Sequence, residues 1–197
     1  MQDNIYSSNK PNLQINPVSN LNNILNKKLS QEAFFIEGHE LTLKLITEED
    51  LEALRLWRNR ENSTLTFLSS KPISKEAQIK WFHSYVQKKD DLMFTIIHND
   101  TNTKIGCLAL YDINTLSKSA EFGRIIIGDH SFRGKSFGTI ATKLLIDFAF
   151  ETLNLTTVFL HVFKTNISAI KTYEKVGFKI YKEPIEDFKL IKMYINN

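Results

Sequence analysis

A chain of 197 residues with 42% hydrophobic and 24% charged residues has enough apolar material for one substantial core plus a short extension, which excludes a wholly disordered chain. A formal net charge of +3 is too small to argue for nucleic acid or a membrane surface as partner, and the single cysteine, Cys107, excludes an internal disulfide. No apolar run reaches the roughly 18 residues of a membrane span, and the first residues lack the basic-then-apolar pattern of a secretory signal, so a cytoplasmic protein is expected.

Residues 1–36 are rich in Asn and Ser, carry Pro11 and Pro17 and show no sustained period. They read as a mobile or loosely docked extension, within which Leu21 to Leu29 can form a short docked helix. The domain proper is expected over 37–197. Leu41, Leu43 and Leu45 alternate with polar residues and mark a strand. Thr47 followed by three acids opens a helix with an apolar face of Leu51, Leu54, Leu56 and Trp57. Ser74 caps a second helix, whose Ile79, Phe82 and Val86 are spaced as a buried face requires.

"DLMFTIIHN", the turn "DTNTK" and "KIGCLALYDI" form a hairpin, and "AEFGRIIIG" is a further strand. Cys107 lies in an apolar run and reads as a buried small hydrophobe. A helix follows from about Ser136 to Leu153, then the strand "TTVFLHVF", the helix "NISAIKTYEKV" and the strands "GFKIYKEP" and "DFKLIKMYIN". Strands mixed with crossover helices make an α/β (α+β) domain, a mixed sheet with helices on its faces.

Two stretches carry chemistry. "HSFRGKSFGT", His130 to Thr139, places two glycines, Arg133 and Lys135 between a strand and a helix. A helix start exposes unpaired N–H groups and partial positive charge, and glycine lets a ligand approach that backbone, so a pyrophosphate fits. An ordinary strand-to-helix turn is the alternative. In "NISAIKTYEKVGFK", Asn166 stands at a strand end, where its amide binds a ligand or merely caps the helix. Ala169 and Tyr173 share a helical face that leaves room for a slender ligand, although Tyr173 alone also reads as core.

Together the two stretches resemble the GNAT superfamily of N-acetyltransferases over about residues 40 to 195. Arg133-Gly134-Lys135-Ser136-Phe137-Gly138 matches the acyl-CoA pattern Gln/Arg-x-x-Gly-x-Gly/Ala, and Asn166, Ala169, Tyr173, Gly177 and Phe178 match Asn-x-x-Ala-x-x-x-Tyr with Gly-Phe. Ser136 departs from the family's middle glycine. It keeps its N–H and adds a hydroxyl, but loses some freedom of close approach.

The resemblance implies the GNAT fold: a mostly antiparallel twisted sheet of about seven strands, with helices on both faces and splayed fourth and fifth strands. It implies acetyl-CoA, or another short acyl-CoA, as cofactor. Pantetheine would pair with Ile125, Ile126 and Ile127, and the diphosphate would lie over Arg133, Gly134, Lys135, Ser136, Phe137, Gly138 and Thr139. Asn166, Ala169 and Tyr173 would complete that site. Tyr173 matches the family's general acid for the departing thiolate, and Glu121 stands where similar enzymes place a carboxylate base. A solvent-facing or ion-paired Glu121 is the alternative. His161 and Asp112 are weaker candidates, better read as structural, and no metal is implied.

The acceptor is less legible. "WRN", the "KWF" helix and "AEFG" look like the branch acting on nucleotide-linked amino sugars, and also like spermidine and ribosomal-protein N-terminal acetyltransferases. The cations Arg58, Arg60, Lys71 and Lys75, with Trp57, Phe67 and Trp81, suit a nucleotide diphosphate better than a polyamine. Trp57, Arg58, Asn59, Trp81 and Glu121 are therefore the expected substrate contacts. Against this, the tryptophans also read as core and the arginines as solvated. A nucleotide-linked amino sugar leads, a polyamine or protein N-terminus follows, and a non-catalytic acyl-CoA-binding domain is the reading from another class. The last hairpin offers a homodimer contact.

Overall fold

The computed structural model of the protein describes residues 21–60, 72–181 and 189–197. Its helices are α1 (Leu21–Ser30), α2 (Leu51–Asn59), α3 (Lys75–Gln87), α4 (Phe137–Glu151) and α5 (Ile167–Val176). They flank one sheet of strands β1 (Phe35–Glu37), β2 (Leu41–Leu45), β3 (Leu92–His98), β4 (Thr103–Asn114), β5 (Ser119–Ile127), β6 (Thr157–Phe163), β7 (Lys179–Ile180) and β8 (Leu190–Asn196). The strand order is β1-β2-β3-β4-β5-β6-β8-β7. The joins are antiparallel except β5–β6, which is parallel.

Alternation along the strands gives each face its own core. On β4, Leu108 and Leu110 join the larger cluster with Leu144, Leu145 and Phe148 of α4, while Cys107 and Ala109 join the smaller one with Leu54 and Trp57 of α2 and Phe82 and Tyr85 of α3. α4 buries Ala141, Leu144, Leu145 and Phe148, the spacing of one helical face. The Ser74 hydroxyl accepts from the Ala77 N–H at 3.1 Å and caps α3 as expected.

Several expectations need correction. The sheet has eight strands among the described residues, because Phe35–Glu37 pairs with β2 two residues ahead of the expected domain start. α1 is firmly docked: Ile24 is fully buried, and the ammonium of Lys28, 1% exposed, donates to the carbonyls of Tyr85, Lys88 and Asp91. On α2, Leu56 is 48% exposed, and on α3, Ile79 is 42% exposed. The buried face of α3 is Gln78, Phe82 and Tyr85, with the Tyr85 hydroxyl accepting from the Met93 N–H at 3.0 Å. Thr47 opens a short 3-10 turn, Glu48–Asp50, which runs into α2.

Candidate active site

β5 and β6 run together only from Ser119 to Glu121 and from Thr157 to Phe159. Beyond Glu121, β5 stays bonded to β4, where Ile126 faces Cys107 and Ile127 faces Gly106. Its other edge, from Phe122 to Ile127, has no strand partner among the described residues. The register of β4 against β5 shifts between Cys107 and Ala109, and opposite that shift Arg124 adopts a left-handed φ of 53°. Such a bulge bends and twists a strand, here where it leaves its neighbour.

The freed edge leads into the expected turn. Asp129 accepts from the Ser131 N–H at 2.9 Å, and Arg133 Nε donates to the Ile127 carbonyl at 2.9 Å, which anchors the turn to the strand end. Gly134 (φ 74°) and Ser136 (φ 65°) are both left-handed, and α4 starts at Phe137. No side chain caps the start of α4, so the N–H groups of its first turn are available to a ligand. A Cβ at Gly134 would have nothing within 4 Å, so that backbone faces open space.

A cavity of about 520 Å³ lies along this path. Ile125, Ile126, Ile127, Arg133, Gly134, Ser136, Phe137, Gly138 and Thr139 line it, with Asn166 from the start of α5. Lys135 is not in the wall; it is exposed, with its ammonium 5.8 Å from the Phe132 ring centroid. Asn166 also acts as the α5 cap, accepting from the Ala169 N–H at 3.2 Å. Ala169 lies outside the lining, while Ser168, Thr172 and Lys175 of α5 are in it. Sequence reasoning passed over these three, although their spacing of four and three puts them on one helical face.

Tyr173 is buried against Phe122 and Phe178, at ring distances of 5.9 Å each. Phe122 directly follows the last β5 residue paired with β6, so the phenol stands at the point of parting and not along the cavity wall. Burial pushes its pKa up to about 12. A phenol held protonated at neutral pH can donate a proton or a hydrogen bond.

Glu121 is the last β5 residue paired with β6 and lies opposite Tyr111 on β4. Its Oε1 accepts from the Tyr111 hydroxyl at 3.0 Å and lies 3.0 Å from His161 Nδ1. Burial, then the neighbouring Glu121 charge, raises the Tyr111 pKa. The phenol is therefore a donor, and Glu121 is hydrogen-bonded and not simply solvent-facing. Asp112, the other weaker candidate, is exposed on β4.

On the α2–α3 face a second cavity, of about 380 Å³, reaches the same strand. Ile126 lines both cavities, so β5 is their common wall. Arg58 and Trp81 line the second cavity, with Met93, Cys107 and Arg124. Burial pushes the Cys107 thiol up to about 12, so it serves as apolar lining and not as a nucleophile. The guanidinium of Arg124 makes a bidentate pair with buried Asp91 (2.7 and 3.0 Å) and lies over the Tyr111 ring at 4.5 Å. Neither Arg124 nor Asp91 was singled out from sequence; the visible signal was a charge inside the apolar run "EFGRIII".

Two expected substrate contacts have other work. Trp57 is 6% exposed and packs so closely on Gly128 that a Cβ there would overlap its indole, which makes Trp57 core. Asn59 donates to the Ile73 carbonyl and accepts from the Ile73 N–H, both at 2.8 Å, which ties the end of α2 to the start of α3. The expected acceptor segments at 61–71, with Phe67 and Lys71, and at 182–188 lie outside the described residues. Among the described residues no helix is long and apolar enough to cross a membrane, and no group of three or more His, Cys, Asp or Glu could hold a metal.

Known proteins share this fold. The acetyltransferase (GNAT) domain family matches residues 40–179. The spermidine N(1)-acetyltransferase of Vibrio cholerae is 27% identical over 149 residues, covering 76% of this chain and 84% of that protein. Acetyltransferase PseH of Campylobacter jejuni is 30% identical over 146 residues, covering 73% and 87%. The crystal structure of spermidine N-acetyltransferase from Vibrio cholerae in complex with CoA and spermine superposes with a TM-score of 0.72 at 26% identity, covering 80% of this chain and 95% of that one. The chain belongs to the GNAT acetyltransferases and is an N-acetyltransferase that uses acetyl-CoA.

Proposed function

We propose that this enzyme acetylates a primary amine of a small soluble molecule, with polyamines of the spermidine type as the first acceptor class. The observation that carries the reaction is the free edge of β5, running from Phe122 into the left-handed turn at Gly134 and Ser136. That edge and turn fit acetyl-CoA: unpaired strand N–H and C=O groups suit an amide-bearing pantetheine arm, and the uncapped start of α4 suits a diphosphate. Lys175 and Arg133 add positive charge to the same wall. Bound there, the cofactor supplies a thioester carbonyl for the amine to attack. In this reading β5 N–H groups donate to the developing oxyanion, and Tyr173 donates to the leaving sulfur. Glu121 and its partners take up the amine's proton.

Support for the polyamine class comes from the relatives named as spermidine N-acetyltransferases, which fit it better than the nucleotide-linked amino sugar that led the sequence reading. One observation favours the amino sugar as a second reading. Among the described residues, the ionisable side chains lining the cavity on the α2–α3 face are Cys107, Arg58 and Arg124, and none is a carboxylate. Arginines suit phosphate and oppose a polycation, although Asp91 neutralises Arg124. Release of CoA thiol from acetyl-CoA, measured against spermidine, nucleotide-linked amino sugars and N-terminal peptides, decides between them. Turnover of spermidine well above the others is the expected result. Turnover of nucleotide amino sugars alone replaces the first reading with the second.

A further inference from the structure

We propose that His161, oriented by Glu121, is the group that takes the proton from the attacking amine. The inference rests on reading the parting of β5 and β6 as the reaction site. His161 lies two residues beyond Phe159, the last β6 residue paired with β5, and so shares its face of the sheet with Phe159 and Glu121. Glu121 stands on one bank of the parting and His161 on the other, with Nδ1 and Oε1 3.0 Å apart. The same face carries Tyr111, whose ring lies under Arg124, a wall residue of the α2–α3 cavity.

The hydrogen bonding determines which atom is basic. An ionised carboxylate only accepts, and Glu121 Oε1 already accepts from Tyr111. Nδ1 of a neutral His161 must then carry its hydrogen toward Glu121, which leaves Nε2 bare as an acceptor. Imidazole is the side chain most often used for general base catalysis near neutral pH, and here it is the member of the pair with a bare acceptor atom. The side chain of Glu121 is 15% exposed and that of His161 32%, so the imidazole is also the member of the pair in contact with bulk water. Among the described residues, the charged and titratable groups around it on this face are Glu121 on β5, Tyr111 behind Glu121 on β4, Tyr194 on β8 opposite Phe159, and Lys192, opposite His161 on β8 with its ammonium over the Phe159 ring at 4.4 Å.

The proton balance closes. Nε2 takes one proton from the ammonium, directly or through a water. The neutral amine then forms a C–N bond to the thioester carbon, and the C–S bond breaks. The leaving thiolate takes a proton from the Tyr173 phenol and departs as the thiol, the second amine proton, lost as the amide forms, restores the phenol, and the imidazolium returns its proton to water. One acetyl-CoA and one ammonium give one amide, one CoA thiol and one proton.

Nitrogen NMR of histidine-labelled protein reads the tautomer without substrate, with His161→Gln assigning the signal among the five histidines. The expected result is an Nδ1–H tautomer with bare Nε2, lost in Glu121→Gln. An Nε2–H tautomer overturns the proposal. In kinetics, His161→Gln should lower kcat/KM for the amine about 100-fold or more near neutrality. It should remove the acid limb of the pH profile and leave KM for acetyl-CoA unchanged. Glu121→Gln should lower kcat/KM as well, because the imidazole loses the carboxylate that fixes its tautomer. Full activity in His161→Gln, with loss in Glu121→Gln, makes the carboxylate itself the base and also overturns the proposal. Because the tautomer is measured without an acceptor, this failure is distinct from a wrong acceptor class, which appears only in the thiol-release panel.

Discussion

Gly134→Ala separates a turn that holds the cofactor from one that only connects β5 to α4. The residue has φ 74°, and the new Cβ would meet nothing within 4 Å in the free protein. The folded state therefore loses only the left-handed strain, about 1–2 kcal/mol, less a few tenths recovered from the stiffer unfolded chain. A net loss of about 1 kcal/mol lowers Tm by about 2–4 °C for a chain of this size. The cofactor should lose more. The methyl would enter open space at a residue that lines the cavity, and displacing one charge-assisted hydrogen bond there costs about 1.5–3 kcal/mol. That corresponds to about 10- to 100-fold weaker CoA binding. Calorimetric titration with CoA and thermal unfolding measure the two effects on one sample, and kcat at saturating acetyl-CoA should hold within about twofold. A lowered Tm with unchanged CoA affinity would refute the phosphate role of the turn.

Ser136→Gly should relieve the strain of a serine at φ 65°, raise Tm by about 1–3 °C and leave CoA affinity unchanged. A large loss of affinity would instead assign a ligand contact to the hydroxyl. Tyr173→Phe should lower kcat more than CoA affinity, and because the phenol stays protonated up to about pH 12, wild-type kcat should show no phenol limb below pH 10. An unchanged kcat in the variant removes Tyr173 from the chemistry. Lys28→Met leaves the carbonyls of Tyr85, Lys88 and Asp91 without their donor and should cost about 3 kcal/mol in denaturant unfolding. Burial lowers the Lys28 pKa to about 8 against 10.5 in the unfolded chain, so between those values the unfolded state binds more protons and stability rises with pH. The methionine variant should lack that rise; an identical pH dependence would contradict the assignment.

The motif pair was legible because its chemistry is local. Arg133 to Gly138 sits at a strand-to-helix turn, and Asn166 to Tyr173 spans two turns of one helix, so spacing alone places the backbone. Long-range packing was not legible. Nothing near Lys28 in the chain foretells that its ammonium ends beneath the last turn of α3, and Asp91 and Arg124 meet across 33 residues. Trp57 reads equally as wall or core until Gly128 is seen beneath its indole. β1 escaped because three residues with one buried side chain carry no measurable alternation. α3 was read one position out of phase, because Gln78 and Tyr85 line its buried face while apolar Ile79 faces out.

If the free edge of β5 and the turn beyond it deliver an acetyl group to a primary amine, CoA thiol and acetylated amine must form together. Parallel quantification of CoA thiol and N-acetylated product from purified enzyme, with spermidine as acceptor, tests it most directly. Equal amounts of the two products are expected at every time point, with both rates falling together in Tyr173→Phe. CoA binding without thiol release, on spermidine and on every other amine of the panel, would contradict it.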